Sequence, residues 1–191
     1  MSKKTESKKT ESKKSSVFTE KDYNSGDGMI TSVWGPPMWH VLHTISFNYP
    51  VSPTEEQKKH YYKFYYNLKN ILPCKYCRDN LANNFKKVPL TMDVFESRNT
   101  LSMYIYELHE TINTMLGKDS GLSYEDVRER YEHFRSRCLN KPSVKGIENG
   151  CTESKYGVKS RCILNIVPKD SRKSSIKIDP RCKVSNKPKK N

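Results

Sequence analysis

Two cysteines separated by two residues, in the stretch Leu72-Pro73-Cys74-Lys75-Tyr76-Cys77, are the part of the chain best suited to chemistry. The proline before Cys74 disfavours continuing a preceding helix and gives the next one a clean start. That next helix runs through Arg78-Asp79-Asn80-Leu81-Ala82-Asn83-Asn84-Phe85. With Cys74 at its N-cap, Cys77 falls one turn in, and the two sulfurs come within disulfide reach. The partial positive charge at a helix start, with Lys75 beside it, favours the thiolate and makes such a pair reactive. A bare C-x-x-C is equally compatible with a structural disulfide or half of a zinc site. Its neighbours must decide.

The elements that would position the pair read as helices. Val33-Trp34-Gly35-Pro36-Pro37-Met38-Trp39 opens the first, with the prolines suited to an initial turn. It continues to about Asn48, where Tyr49-Pro50 ends it, and Trp39, His43 and Phe47 share one face. Ser52 is the expected cap of a second helix, along which Tyr61, Phe64, Tyr65, Leu68 and Leu72 form a buried stripe. The third follows the cysteine pair and stops before Pro89. A fourth runs from about Arg98 to Leu116 on the stripe Leu101, Tyr104, Ile105, Leu108, Ile112 and Met115, with Gly117 in a C-cap position. His109 and Asn113, four apart, sit at the stripe's edge. Ser123 caps a short last helix reaching about Cys138, with Val127, Tyr131 and Phe134 on one face. No alternating run argues for a sheet. The expected fold class is all-α, a four-helix bundle with a short fifth helix, flanked by disordered basic tails.

The flanks differ in composition from this core. Residues 1–30 form a Lys/Ser-rich tail that repeats Ser-Lys-Lys-Thr-Glu and cannot bury a core. Residues 139–191 hold 14 Lys/Arg against 4 Asp/Glu, whereas residues 31–138 hold 14 against 12. The basicity of the chain, net +14, therefore lives largely in the C-terminal tail. Such a tail suits an acidic or nucleic-acid surface, or serves only as a solvated arm. Within it, Ile163-Leu164-Asn165-Ile166-Val167 is the one run suited to docking. No stretch approaches the roughly 18–20 apolar residues of a membrane span, and the start lacks the apolar core of a secretory signal. The expected location is the cytoplasm. There, six cysteines point to redox chemistry or metal before a structural disulfide framework.

Three features stand in order: Trp39-x-x-x-His43, Cys74-x-x-Cys77, and His109-x-x-x-Asn113-x-x-Leu116-Gly117-Lys118. Together they resemble the Erv/ALR family of FAD-linked sulfhydryl oxidases. Trp34-Gly35-Pro36-Pro37-Met38-Trp39-His40-Val41-Leu42-His43 followed by Tyr49-Pro50 is similar to that family's opening. Cys74-Lys75-Tyr76-Cys77 is similar to its redox pair, and residues 108–118 to its His-Asn-x-Val-Asn-x-x-Leu-Gly-Lys signature. The resemblance covers about residues 31–137, and the Trp-Gly-Pro-Pro opening with basic tails looks most like members encoded by large cytoplasmic DNA viruses. If viral, the chain would work in the host cytoplasm or the virion.

The resemblance implies FAD as cofactor, thiol-containing protein substrates, O2 as final acceptor, and a homodimer. It assigns catalysis to Cys74 and Cys77, with Cys77 on the flavin side and Cys74 facing outward. Cofactor contacts would fall to Gly35, Trp39, His43, Phe47, His109, Asn113, Leu116, Lys118, Arg130 and Tyr131. No metal is implied. Some positions depart from the family pattern. Glu110 stands where asparagine is usual, Phe47 replaces a common tyrosine, and Tyr131 stands where tryptophan is usual. A disulfide that staples the cofactor helix to the next one in many members is missing, its positions being Tyr106 and about Ser123. Relatives relay electrons through a second cysteine pair on an arm. The N-terminal arm carries no cysteine. On the tail, which also holds Cys182, the expected shuttle pair is Cys151 and Cys162, which close a short loop. The competing readings are a tail used only for electrostatic docking, or Cys138 as a structural partner. The alternative is a zinc-binding or nucleic-acid-binding helical module. Against zinc, Cys138, Cys151, Cys162 and Cys182 are 13, 11 and 20 apart, a poor match to finger spacings.

Overall fold

A computed structural model describes residues 18–139, 150–158, 160–171 and 177–182 of the chain. In order these form α1 (Glu20–Tyr23), α2 (Thr31–Phe47), α3 (Glu55–Ile71), α4 (Lys75–Lys87), a 3-10 turn (Met92–Phe95), α5 (Arg98–Met115), α6 (Tyr124–Glu132), the strands β1 (Ser136–Leu139) and β2 (Gly150–Ser154), and a last 3-10 turn (Pro180–Cys182). Four long helices make the bundle: α2 packs on α5, α3 lies beside α4, α4 touches α5, and α6 closes across α2 and α5. The all-α class expected from the sequence holds.

Aromatic and aliphatic residues fill the centre. Tyr49, Phe95, Leu101 and Ile105 are fully buried, and Tyr65 and Leu68 nearly so. A tyrosine can enter such a core only if its hydroxyl finds a partner. Here three of these hydroxyls donate to a main-chain carbonyl of another segment: Tyr49 to Phe95 at 2.8 Å, Tyr65 to Leu42 at 2.9 Å and Tyr104 to Val88 at 2.9 Å. The rings thus bury apolar area while their hydroxyls tie the 3-10 turn, α2 and the end of α4 into the bundle.

Several boundaries differ from expectation for physical reasons. The helix expected to open near Pro36, α2, starts at Thr31, five residues before Pro36, so both prolines lie inside it. They deprive the carbonyls of Ser32 and Val33 of their helical partners, but both residues are exposed, so water can take those bonds. Thr54, not Ser52, caps α3, because Gln57 completes a reciprocal capping box with it. Phe64, expected in the buried stripe, is 39% exposed. The last helix ends at Glu132 instead of Cys138, and the chain turns into the β1–β2 hairpin. Its antiparallel register pairs Ser136 with Ser154 and Leu139 with Gly150, with an irregularity between them.

Order also begins before residue 31. Thr19 and Asp22 form a capping box around α1. Gly28 then makes an isolated antiparallel bridge to Cys74, and the Met29 amide donates to the Pro73 carbonyl at 2.7 Å. Gly28 has φ of +100°, and a Cβ there would lie 2.5 Å from the Pro73 oxygen, so only glycine fits. The Ser-Lys-Lys-Thr-Glu repeats lie outside the described residues.

Candidate active site

Cys74 is the N-cap of α4, as its spacing after Pro73 predicts, and its sulfur accepts from the Cys77 amide at 3.2 Å. Both are free thiols. The Cys77 thiol hydrogen bond holds the Cys74 thiol below its usual range, while burial, followed by that same bond, pushes Cys77 up. The pair is therefore polarised, with the anion favoured on Cys74 and Cys77 the more deeply desolvated sulfur. A threonine that the sequence reading did not single out joins them: Thr31 Oγ1 lies 3.7 Å from Cys77 Sγ.

The pair opens into a cavity of about 1820 Å³, larger than the roughly 300–1,000 Å³ of common ligand pockets. Gly35, Trp39, His43, His109, Asn113, Leu116, Lys118, Arg130 and Tyr131 all line it with Cys74 and Cys77. The helices thus bring together every expected core site residue except Phe47. That ring is buried behind the wall, stacked on Tyr131 at 5.4 Å and 7°, so it backs the site without lining it. Gly35 is buried, yet an added Cβ would meet only Thr31 at 3.6 Å, so close packing does not demand glycine there.

The back wall is aromatic and uncharged. Trp39 and His109 stack at 3.9 Å and 7°, and His43 stacks against Tyr131 at 5.2 Å. His43 Nε2 and His109 Nδ1 share a hydrogen bond of 3.0 Å, one ring donating. Burial drives His43 down to about 3, helped by the charges of His109, His40 and Arg130, and drives His109 down to about 4. Both are neutral at pH 7. Two residues that line this cavity each carry a buried polar atom without a protein partner, His43 Nδ1 and Asn84 Nδ2. A buried polar group without a partner costs about 1–3 kcal/mol, so the site is built for a ligand with hydrogen-bonding capacity. Exposed Lys118 and Arg130 add positive charge at the rim. A large, flat-walled, basic-rimmed cavity with unfilled hydrogen bonds fits a flavin dinucleotide.

Asn84 escaped the sequence reading. It lies three residues after Leu81 and seven after Cys77, a polar residue on the buried face of α4, and that position was the available signal. Glu110, at one departure from the family pattern, lines the cavity and accepts from Asn113 Nδ2 at 2.9 Å. It therefore orients the asparagine.

The C-terminal segment reaches the same cavity. Cys162 and Cys182, both free thiols, line it together with Arg161 and Arg181. The Val158 amide donates to the Arg181 carbonyl at 3.3 Å, and Gly157 sits so close to the Cys182 backbone that a Cβ would lie 2.9 Å from it. The expected Cys151–Cys162 pair is not formed: Cys151 is disulfide-bonded, while Cys162 is a free, exposed thiol. Cys151 lies on β2, which pairs with β1, whereas Cys162 lies in a run without regular secondary structure.

A helical bundle that sets a polarised dithiol at the mouth of a neutral, aromatic, dinucleotide-sized cavity defines a class of thiol-redox domains with a bound cofactor. Comparison with known proteins gives the particular family. The Erv1 / Alr family model matches residues 36–132, and the chain belongs to that family. A probable FAD-linked sulfhydryl oxidase of Acanthamoeba polyphaga mimivirus is 37% identical over 99 residues, covering 52% of this chain and 68% of that protein. The mitochondrial FAD-linked sulfhydryl oxidase of Saccharomyces cerevisiae is 32% identical over 85 residues, covering 44% of this chain and 43% of its own length. The crystal structure of the FAD-binding domain of Erv1 from Saccharomyces cerevisiae superposes with a TM-score of 0.49 at 25% identity, over 55% of this chain and 95% of that one.

Proposed function

We propose that the protein is an FAD-dependent sulfhydryl oxidase that forms disulfide bonds in protein substrates. The observation that carries this reading is the Cys74–Cys77 pair lining one cavity with Trp39, His43 and His109. A substrate thiolate attacks Cys74 Sγ of the oxidised pair, the Cys74–Cys77 bond breaks, and Cys77 leaves as a thiolate. A second substrate thiolate then attacks the substrate sulfur of the mixed disulfide. This releases the substrate disulfide and leaves two electrons on the Cys74–Cys77 dithiol. FAD, when bound, would supply the two-electron acceptor that side chains lack, with O2 as the final acceptor and hydrogen peroxide as its product. Trp39, His43, His109, Asn113 and Tyr131 would hold the flat parts of that group, and Lys118 and Arg130 its negative charge. Gly35 and Leu116 would complete the lining, with Phe47 as backing.

Cys162 and Cys182 are the favoured relay thiols between protein substrates and Cys74, since both are free and share the cavity. Exposed apolar side chains on α2 and α3, Val41 and Phe64, support a homodimer through the bundle face. The basic tail would serve an acidic or nucleic-acid surface. No helix among the described residues is long and apolar enough to cross a membrane. The mimivirus relative supports a viral-type member acting in the host cytoplasm or virion. The test is direct: purified protein should be yellow, absorb in the flavin band, and consume O2 on addition of dithiothreitol with formation of hydrogen peroxide. Colourless protein that cannot be loaded with FAD, or loaded protein without dithiol-dependent O2 uptake, overturns the reading.

A further inference from the structure

The segment before α2 is bolted to the redox pair in a way the bundle does not need. Gly28 bridges to Cys74, the Met29 amide donates to Pro73, and the Trp34 indole N–H returns to the Met29 carbonyl at 3.1 Å. These contacts fix the first residue of α2, Thr31, against α4, where its hydroxyl lies 3.7 Å from Cys77 Sγ. A thiolate can only accept, so when Cys77 carries charge the threonine must be the donor.

We propose that Thr31 is a positioning residue for the thiol chemistry, its hydroxyl donating to the Cys77 sulfur in the state where that sulfur has left as a thiolate. The inference rests on the oxidase reading of the pair and assigns a part in its exchange step. A leaving thiolate of lower basicity leaves faster, so the hydroxyl assists the attack on Cys74 by stabilising what departs. Among the described residues, the groups that act on Cys77 are Cys74 and Arg78 from α4 and Thr31 from α2. Arg78 favours the thiolate, burial and Cys74 oppose it, and among the described residues the threonine hydroxyl is the uncharged donor that another element supplies. It acts on both sulfurs, lowering Cys74 as well as Cys77.

The test reads the thiol itself and needs no turnover. In a Cys74→Ser background, the rate of Cys77 alkylation by iodoacetamide is followed against pH by mass spectrometry of the peptide carrying Cys77. Thr31→Val keeps the shape and removes the donor, while Thr31→Ser keeps the donor and trims a methyl group. A hydrogen bond to a charged group, discounted for exposure, should raise the midpoint by about half to one unit in the valine variant. Because nucleophilicity rises with basicity, alkylation at pH 7 should slow only about two- to fourfold. The serine variant should return the midpoint to that of the parent. An unchanged midpoint in Thr31→Val, or a shift that Thr31→Ser fails to restore, overturns the assignment. Circular dichroism of both variants checks that the helices persist. Failure of the oxidase reading would show separately, as absent flavin or absent O2 uptake.

Discussion

Acidification from pH 7 to pH 5 should destabilise this fold through two histidines of its cavity. In the folded chain His43 is held at about 3 and His109 at about 4, burial being the leading cause for both. In the unfolded chain each binds a proton near 6.5. As pH falls through 6.5, the unfolded state therefore takes up protons that the folded state refuses, and stability drops until the folded values are reached. Linkage gives about 2 kcal/mol per fully buried histidine between pH 7 and 5. His109 is only partly buried, so its share is cut by about half, leaving about 3 kcal/mol in all. His40, also lowered by burial, acts in the same direction. Carboxylates do not confuse the window. Asp22, Asp126 and Glu132 are held low by their hydrogen bonds, so their contributions are lost only below about pH 4.5.

Urea titrations followed by far-ultraviolet circular dichroism should show this loss as a midpoint lower by roughly 1–2 M at pH 5 than at pH 7. His43→Phe, which keeps a ring beside Tyr131, should remove its share of the slope. Equal midpoints at the two pH values, or imidazole NMR signals of His43 and His109 that titrate near 6.5, refute the assignment of these rings as buried and neutral.

Other outcomes follow from the same geometry. Cys77→Ser and Cys74→Ser should each abolish dithiol-driven O2 uptake while retaining FAD, but only Cys74→Ser should leave a Cys77 thiolate able to give a long-wavelength band with the flavin; the reverse pattern exchanges the roles of the two sulfurs. His109→Ala removes the ring stacked on Trp39 and should lower flavin content and melting temperature together, by mass action; full flavin at an unchanged melting temperature makes His109 a bystander. Gly28→Ala forces a Cβ toward the Pro73 carbonyl at positive φ, at a cost of about 1–2 kcal/mol, and should expose the Met29 amide to hydrogen exchange; retained protection would show that the strap tolerates the change. The double change Cys162→Ser with Cys182→Ser should spare oxidation of dithiothreitol and slow that of a reduced protein; equal rates on both remove the relay.

What was legible in the sequence is what local rules govern. Cys74 at a helix start follows from Pro73 and from a side chain able to accept an amide hydrogen bond, and the α5 stripe follows from its period. The first helix start was misplaced because the proline rule concerns one residue's own bonds. It does not register that exposed Ser32 and Val33 carbonyls can be left to water. The strap at Gly28 and the Thr31 contact were illegible, since both depend on an approach to residues 45 or more positions away. The hairpin was missed because Ser136-Arg137-Cys138-Leu139 has no alternating pattern. It is steadied from outside its own sequence, by Arg135, whose guanidinium pairs with Glu132 and donates to the Phe47 carbonyl at 2.7 Å.

The missing staple between the cofactor helix and α6 has a replacement that only the structure reveals. At the position the resemblance reserves for a cysteine, the Tyr106 hydroxyl donates to the Leu122 carbonyl at 2.8 Å, one residue before the cap of α6. The link joins the same two elements without a covalent bond. It belongs with the hydroxyls of Tyr49, Tyr65 and Tyr104, each of which fastens one segment of the bundle to another's carbonyl. A hydrogen bond of this kind contributes about 0.5–1.5 kcal/mol net, less than a disulfide. Yet a disulfide close to a reactive dithiol is open to attack by the thiolate it neighbours. In a bundle whose proposed chemistry is thiol–disulfide exchange, ties made from tyrosine are inert to that chemistry. The helices that shape the cavity can then hold their positions whether Cys74 and Cys77 are oxidised or reduced.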